Sequence, residues 1–251
     1  MTPGRRRRRR DRARVWAGAV AGRVRESRAM VTLTALAAGF AAMTAVILRP
    51  EMRAVDARVS RGLQRYRRKQ LLPAARFLTE LGNDPALTVL SVPVAAWAWR
   101  TRRPWAAALL FAAIGGHLLN RGIKSLTLRP RPNLEDRVEI MLPSTGSSFP
   151  SGHAMTAVMY FGFLGFLIHA YVPSPGVRLA GVGATSGTAL AICWSRVYVG
   201  AHFLSDILGG IAAGGFFLVS WAAFYRRIAV HELLPAEQRT ARRSASLSTI
   251  V

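Results

Sequence analysis

Cysteine and acidic residues are scarce in this sequence of 251 residues. Its single cysteine, Cys193, lies inside an apolar stretch, which excludes an intramolecular disulfide and a cysteine-based metal site. We expect Cys193 to be an ordinary buried residue. Asp and Glu total 12 against 35 Lys and Arg, so the formal net charge is +23.

The basic residues are clustered, and long stretches between the clusters carry almost no charge. Hydrophobic residues make up 51% of the chain. A strong positive charge can indicate nucleic-acid binding, but these apolar stretches are too long for a basic soluble domain. We therefore expect no nucleic-acid partner. Apolar blocks separated by short basic segments are typical of a multi-pass membrane protein.

Six apolar blocks follow the N-terminal charge. They span residues 30–48, 85–99, 104–119, 154–172, 179–194 and 207–225. Three have 19 residues, close to the about 20 residues of a typical span. The other three have only 15 or 16 residues, so they must recruit flanking residues such as 81–84 or 120–123. No block alternates with period two, as barrel strands would. The predicted fold is all-α: a polytopic membrane helix bundle with six transmembrane helices, in which the Gly-rich run 208–215 allows close helix packing.

The charge distribution also predicts domains and orientation. Residues 1–28, with eleven Arg, form an Arg-rich disordered cytoplasmic tail that either sets the topology or anchors to anionic lipid headgroups. Residues 29–226 form the six-span domain, and 227–251 a flexible C-terminal tail. Residues 100–103 and the C-terminal tail then face the cytoplasm, as the positive-inside rule favours. Segment 51–80 lies outside despite eight basic residues, and we interpret it as amphipathic and surface-bound.

Three polar segments interrupt this pattern at residues 124–136, 148–155 and 195–206. The first follows the third span, the second precedes the fourth, and the last joins the fifth to the sixth. Because successive spans alternate in direction, all three segments must meet on one face of the membrane. We place that face outside the cytoplasm.

The side chains in these segments suit a phosphate-like dianion. Lys124, Arg131 and Arg196 supply positive charge, whereas the role of a fourth cation, Arg129, stays open between site residue and headgroup contact. His153 and His202 can transfer protons or act as nucleophiles, and Asp206 is a carboxylate beside them. We expect neither a metal nor a cofactor, since the carboxylates are too few for a divalent cation.

Local geometry supports a phosphate site. Ser151 and Gly152 are predicted at the start of the fourth helix, where free backbone N–H groups favour an anion. His202 and Asp206 are four residues apart and are predicted to share one helix face at the start of the sixth span. A carboxylate that holds one ring nitrogen leaves the other free to attack. His117 and His169, within spans, are interpreted as packing residues or as partners in helix–helix hydrogen bonds.

These segments resemble the three signatures of the type 2 phosphatidic acid phosphatases. The first is Lys124, six residues, then Arg131-Pro132. The second is the run from Pro150 to His153, and the third is Ser195-Arg196, five residues, His202, three residues, Asp206. All three occur in order, and the resemblance covers roughly residues 80–225.

The resemblance implies a role for each matching position. His202 would attack phosphorus and form a phosphohistidine, Asp206 would orient it, and His153 would act as acid and then base. The residues implied to bind the phosphate are Lys124, Arg131, Ser151, Gly152 and Arg196. The implied substrate is a lipid phosphate or isoprenoid pyrophosphate drawn from the membrane lipids.

Other functions remain possible at this stage. The same phosphohistidine could pass its phosphate to an acceptor lipid. Soluble vanadium haloperoxidases share these motifs, but they do not need six apolar spans. A non-catalytic membrane interaction protein would not need His202 and Asp206 side by side.

Overall fold

The computed structural model describes residues 27, 30–142 and 144–229. Within these ranges the chain forms α-helices and one short 3-10 helix, Lys69–Leu71, and no strand. The α-helices are α1 Met30–Ile47, α2 Pro50–Arg65, α3 Leu72–Leu81, α4 Asp84–Arg100, α5 Pro104–Ile114, α6 Gly116–Thr127, α7 Gly152–Tyr171, α8 Pro175–Tyr198 and α9 Leu204–Ile228. The predicted N-terminal tail, apart from Ser27, and residues 230–251 of the predicted C-terminal tail lie outside the described residues.

The all-helical, multi-pass architecture is confirmed, but the count of six spans is not confirmed in full. Five helical segments are long and apolar enough to cross a membrane: α1, α5 with α6 as one unit of 24 residues, α7, α8 and α9. The predicted second span is α4, whose 17 residues extend about 26 Å at the α-helical rise, a little less than a bilayer core. It recruits Asp84 only, because residues up to Leu81 belong to α3.

Helix α7 lies at the centre of the bundle and packs against α5, α6, α8 and α9. Glycines on α9 allow the close approach. A Cβ on Gly210 would lie 2.6 Å from the carbonyl oxygen of Ser151, and one on Gly214 would lie 2.6 Å from that of Met155. The prediction that the Gly-rich run packs closely is therefore confirmed, and this contact holds the start of α9 beside the start of α7.

Two short helices lie between the first two predicted spans. Helix α2 buries Asp56, Ala57 and Ser60 on one face and exposes Val55 and Leu63 on a neighbouring one. The buried face covers the loop between α6 and α7. The guanidinium of Arg53 pairs with the Asp136 carboxylate at 2.9 Å. The amphipathic character predicted for 51–80 is confirmed, and its contact with the membrane surface stays a prediction.

Candidate active site

One cavity of about 770 Å³ opens at the end of the bundle where the three polar segments meet. Six of the eight predicted site residues line it: Lys124, Arg131, Gly152, His153, Arg196 and His202. The other two, Ser151 and Asp206, are fully buried behind its wall. The alternation of the spans was therefore enough to predict that these residues lie together, although they come from α6, α7, α8 and two loops.

His202 lies in the loop before α9. The helix starts at Leu204, so the prediction that His202 and Asp206 share one helix face is wrong. The loop folds back over the end of α8, where the backbone N–H of His202 donates to the Arg196 carbonyl at 3.3 Å. This turn brings Nδ1 of His202 within 3.5 Å of Asp206 Oδ2, which is longer than an ordinary hydrogen bond. The two side chains are therefore close although His202 lies outside the helix.

The tautomer of His202 follows from its second ring nitrogen. Nη1 of Arg131 lies 3.1 Å from Nε2. A guanidinium can only donate, so Nε2 is the acceptor and its lone pair points at Arg131 on the cavity wall. The ring proton then lies on Nδ1, on the side of Asp206. This is the arrangement that a nucleophilic histidine requires.

Burial has the largest effect on the pKa of His202. Loss of hydration, together with the cations Arg131 and Arg196, lowers this pKa from its ordinary 6.5 to about 4, although Asp206 acts to raise it. Burial likewise lowers the pKa of Arg131, and Asp206 opposes that effect. His202 is therefore uncharged near neutral pH.

Asp206 is held from several directions. Its Oδ2 accepts from the backbone N–H of Phe203 at 2.9 Å and from the hydroxyl of Ser148, and its Oδ1 accepts from Arg129 Nη1 at 2.5 Å. Because Asp206 occupies the first turn of α9, the helix dipole also favours its negative charge. The carboxylate beside His202 is thus fixed in place.

Backbone carbonyls hold the guanidinium of Arg131 over the cavity. Nε donates to the carbonyls of Thr145 and Gly146 at 3.0 and 3.1 Å, and Nη1 donates to that of Ala201 at 2.8 Å. Arg196 is buried, and its guanidinium donates to the Ser144 hydroxyl over a long distance of 3.4 Å. Together with Lys124 these cations give one wall of the cavity a strong positive charge.

His153 lies at the start of α7, opposite residues from the turn between α3 and α4. Its Nε2 lies 2.8 Å from the side-chain oxygen of Asn83, whose Nδ2 donates to Glu80 at 2.7 Å. An amide oxygen only accepts, so Nε2 carries a proton in this contact and Nδ1 is left for chemistry. Glu80 and Asn83 thus set the orientation of His153.

Ser151 and Gly152 serve this site differently. The Ser151 side chain caps α7 by accepting from the Ala154 N–H at 3.4 Å, and its own N–H donates to the Asp206 carbonyl at 3.0 Å. A direct contact of Ser151 with phosphate, as the resemblance implied, therefore does not fit its position. Gly152 is the first residue of α7 and lines the cavity, where first-turn N–H groups can bind an anion.

Arg129, left open by the sequence, lies behind the cavity. Its Nη1 donates to Asp206 and to the Ser205 hydroxyl at 2.9 Å, and its Nη2 donates to Asp56 at 2.5 Å. It therefore supports Asp206 and does not face the cavity. Asp56, on α2, was not considered from the sequence, and no local pattern around it signals this contact.

His117, on α6, makes a contact between helices, as one of its two interpretations expected, because its Nε2 lies 2.8 Å from Oδ1 of Asp84 on α4. It also lines the cavity, where its ring meets that of His153 edge-on with centroids 6.2 Å apart. Asn83 and Asp84 were missed as well. Their signal was present, because the start of the second span lies on the same membrane face as the end of the third.

The fold and the site together define a multi-pass membrane protein with a buried, cation-lined histidine site. Residues 105–229, about half of the chain, match the model of the PAP2 superfamily, and the chain belongs to that family. It is 29% identical over 184 residues to phosphatidylglycerophosphatase B of Bacillus subtilis, covering 72% of this chain and 89% of that protein. It is 36% identical over 80 residues to lipid A 1-phosphatase of Rhizobium etli, covering 32% of this chain and 30% of that one.

Solved structures agree with this assignment. The crystal structure of a transmembrane PAP2-type phosphatidylglycerolphosphate phosphatase from Bacillus subtilis superposes with a TM-score of 0.72 at 25% identity, covering 78% of this chain and 97% of the other. Aquifex aeolicus LpxE superposes with a TM-score of 0.55 at 20% identity, covering 67% and 94%. The second match shows a shared fold only.

Proposed function

We propose that the chain hydrolyses lipid phosphates through a phosphohistidine on His202, without a metal ion. Hydrolysis of a lipid phosphate is the class of activity to which the family and its named relatives assign this enzyme. The observation that carries the mechanism is the environment of His202. Its Nε2 accepts from Arg131, one of four cations that line the cavity, and Asp206 lies on the side of Nδ1.

The chemistry divides into two steps. In the first, Nε2 of His202 attacks phosphorus and the bond to the leaving oxygen breaks. His153, which enters this step as an imidazolium, gives that oxygen the proton on Nδ1 and becomes neutral. In the second, Nδ1 of His153 takes a proton from water, the water oxygen attacks phosphorus, and the P–N bond breaks to release inorganic phosphate. Asn83 accepts from Nε2 of His153, which leaves Nδ1 for both proton transfers.

The negative charge on the non-bridging phosphate oxygens is stabilised by Lys124, Arg131 and Arg196. Phosphoryl transfer depends mainly on such positioning and electrostatics. Among the described residues, no group of three or more His, Cys, Asp and Glu side chains converges as metal ligands would. We propose that these fixed cations supply the charge stabilisation that a metal ion would otherwise give.

The substrate class follows from the setting of the cavity. It opens at one end of a membrane bundle, so a lipid can present its phosphate from the bilayer. Phosphatidic acid, phosphatidylglycerol phosphate and polyprenyl pyrophosphate all fit this description, and the name of the Bacillus subtilis relative favours the second. We place the cavity on the extracytoplasmic face.

The test is phosphate release by the purified protein in detergent, with EDTA present and no metal added. The three lipids are assayed with the wild type, with His202→Ala and with His169→Ala as a matched control, because His169 is an exposed histidine that does not line the cavity. We expect release that resists EDTA, persists in the control and vanishes in His202→Ala. Release that EDTA abolishes, or that His202→Ala retains, would contradict the mechanism.

A further inference from the structure

A buried ionic network extends from the candidate nucleophile to the surface helix α2. Asp206 accepts from Arg129, and Arg129 in turn donates to Asp56, with both contacts at 2.5 Å. The Ser205 hydroxyl closes the ring, because it accepts from Arg129 at 2.9 Å and donates to Asp56 at 2.6 Å. The side chains of Asp56, Arg129 and Asp206 are 5%, 6% and 0% exposed, so water screens these charges little.

The net charge of this group decides what it can do for His202. Arg129 and Asp206 alone would form a neutral pair. That pair would give little stabilisation to the positive charge that the ring acquires when Nε2 bonds to phosphorus while Nδ1 keeps its proton. Asp56 shares the charge of Arg129 and brings the trio to a net charge of −1. The excess negative charge then lies beside Nδ1 of His202.

We propose that Asp56 is a positioning residue of the reaction, acting on His202 through Arg129 and Asp206. This inference rests on the proposed function of His202. Asp56 lies on α2, outside residues 105–229 that match the family model, and it does not line the cavity. Its effect must therefore pass through the groups that it contacts, Arg129 and the Ser205 hydroxyl. Helix α2 thus contributes charge as well as cover to the site.

The test is a double-mutant cycle on kcat with Asp56→Asn, Arg129→Met and the double variant. Residues in one network couple by roughly 2- to 150-fold. We expect Asp56→Asn to lower kcat by a factor in this range in the wild type and by a clearly smaller factor in the Arg129→Met background. Equal factors in both backgrounds would overturn the proposal.

The matched control is Asp136→Asn. This variant also breaks an ion pair between α2 and the α6–α7 loop, the one with Arg53 at 2.9 Å, but it leaves Arg129 untouched. If Asp136→Asn lowers kcat as much as Asp56→Asn does, loosening of α2 explains both losses and the proposal fails. If Asp56→Asn does not fold, Asp56→Glu keeps the charge with one extra methylene. We then expect a lower kcat with an unchanged acid limb.

The acid limb of the pH profile distinguishes the loss of the Asp56 charge from a loosening of the site. His202 is faced by Asp206 from α9, Arg131 from its loop, Arg196 from α8, His153 from α7 and Lys124 from α6. Loss of the Asp56 charge disfavours the imidazolium, so the acid limb of Asp56→Asn should move to lower pH. A loosened, hydrated site would move it up towards 6.5 instead, which would overturn the proposal.

Including His202→Ala in the same assays distinguishes a failure of the proposed role of Asp56 from a failure of the proposed function. If His202→Ala abolishes activity and Asp56→Asn leaves kcat unchanged, only the role of Asp56 is wrong. If His202→Ala remains active, the proposed function fails, and the inference fails with it.

Discussion

His202 and His153 are the same residue type in one cavity, and their neighbours give them different chemistry. At His202, Arg131 contacts Nε2 and Asp206 lies near Nδ1, so the lone pair faces the cations of the cavity. At His153, Asn83 accepts from Nε2, so Nδ1 is the free atom. The orientation of each imidazole is thus set by one polar partner from another part of the chain.

The lowered pKa of His202 makes a prediction about pH. Because burial lowers this pKa to about 4, the ring is uncharged and nucleophilic above that value and becomes protonated only below it. We therefore expect kcat/KM to hold on the acid side until close to pH 4. The measurement is a kcat/KM profile corrected for the separately measured titration of the substrate phosphate. Recovery of activity after return to neutral pH serves as the control for unfolding. A loss centred near pH 6.5 would show that His202 is hydrated.

At the level of helices, the site depends on how closely α7 and α9 approach. Helix α7 carries His153, and the loop before α9 carries His202, so the spacing of these two helices sets the distance between the two histidines. Gly210 lies at a close contact of the two helices, where the space for a side chain is already filled by the backbone of Ser151 and by Ala154. A backbone neighbour cannot move aside as a flexible side chain can.

We predict that Gly210→Ala damages both stability and activity. Its Cβ would lie 2.6 Å from the Ser151 carbonyl oxygen, and overpacking of this kind costs about 1–3 kcal/mol. Thermal unfolding in detergent and kcat/KM both test this. The control is Gly183→Ala on α8, where nothing lies within 4 Å of the added methyl group. Equal behaviour of the two variants would contradict the packing argument.

For the molecule as a whole, orientation in the membrane decides which lipids reach the cavity. The cavity and the α6–α7 loop lie at one end of the bundle, and the basic turn between α4 and α5 lies at the other. Our proposal that the cavity lies on the extracytoplasmic face rests on the positive-inside rule, which favours that turn in the cytoplasm. With this orientation the cavity would open to the outer leaflet.

Cysteine labelling can test this orientation. In a Cys193→Ala background, Leu134→Cys marks the cavity end and Thr101→Cys the opposite turn, since both positions are exposed. We expect a membrane-impermeant maleimide to label Leu134→Cys in intact cells and Thr101→Cys only after lysis. Labelling of Thr101→Cys alone in intact cells would place the cavity in the cytoplasm and change the accessible substrate pool.

The sequence by itself determined the features that depend on neighbours along the chain. Apolar blocks marked the spans, because a bilayer demands long uncharged helices. Alternation of those spans brought Lys124, His153 and His202 to one end. The start of α7 at Gly152 was also predicted from the residues next to it in the chain.

Only the tertiary structure decided which side chains support the two histidines. Asp56 meets Arg129 across 73 positions, and Asn83 meets His153 across 70. Such contacts depend on the angles and distances at which helices pack, and hydropathy does not predict these angles and distances. The packing also determined that Arg129 lies behind the cavity and that His202 precedes α9, since the fold of a loop over the end of α8 is not a property of either segment alone.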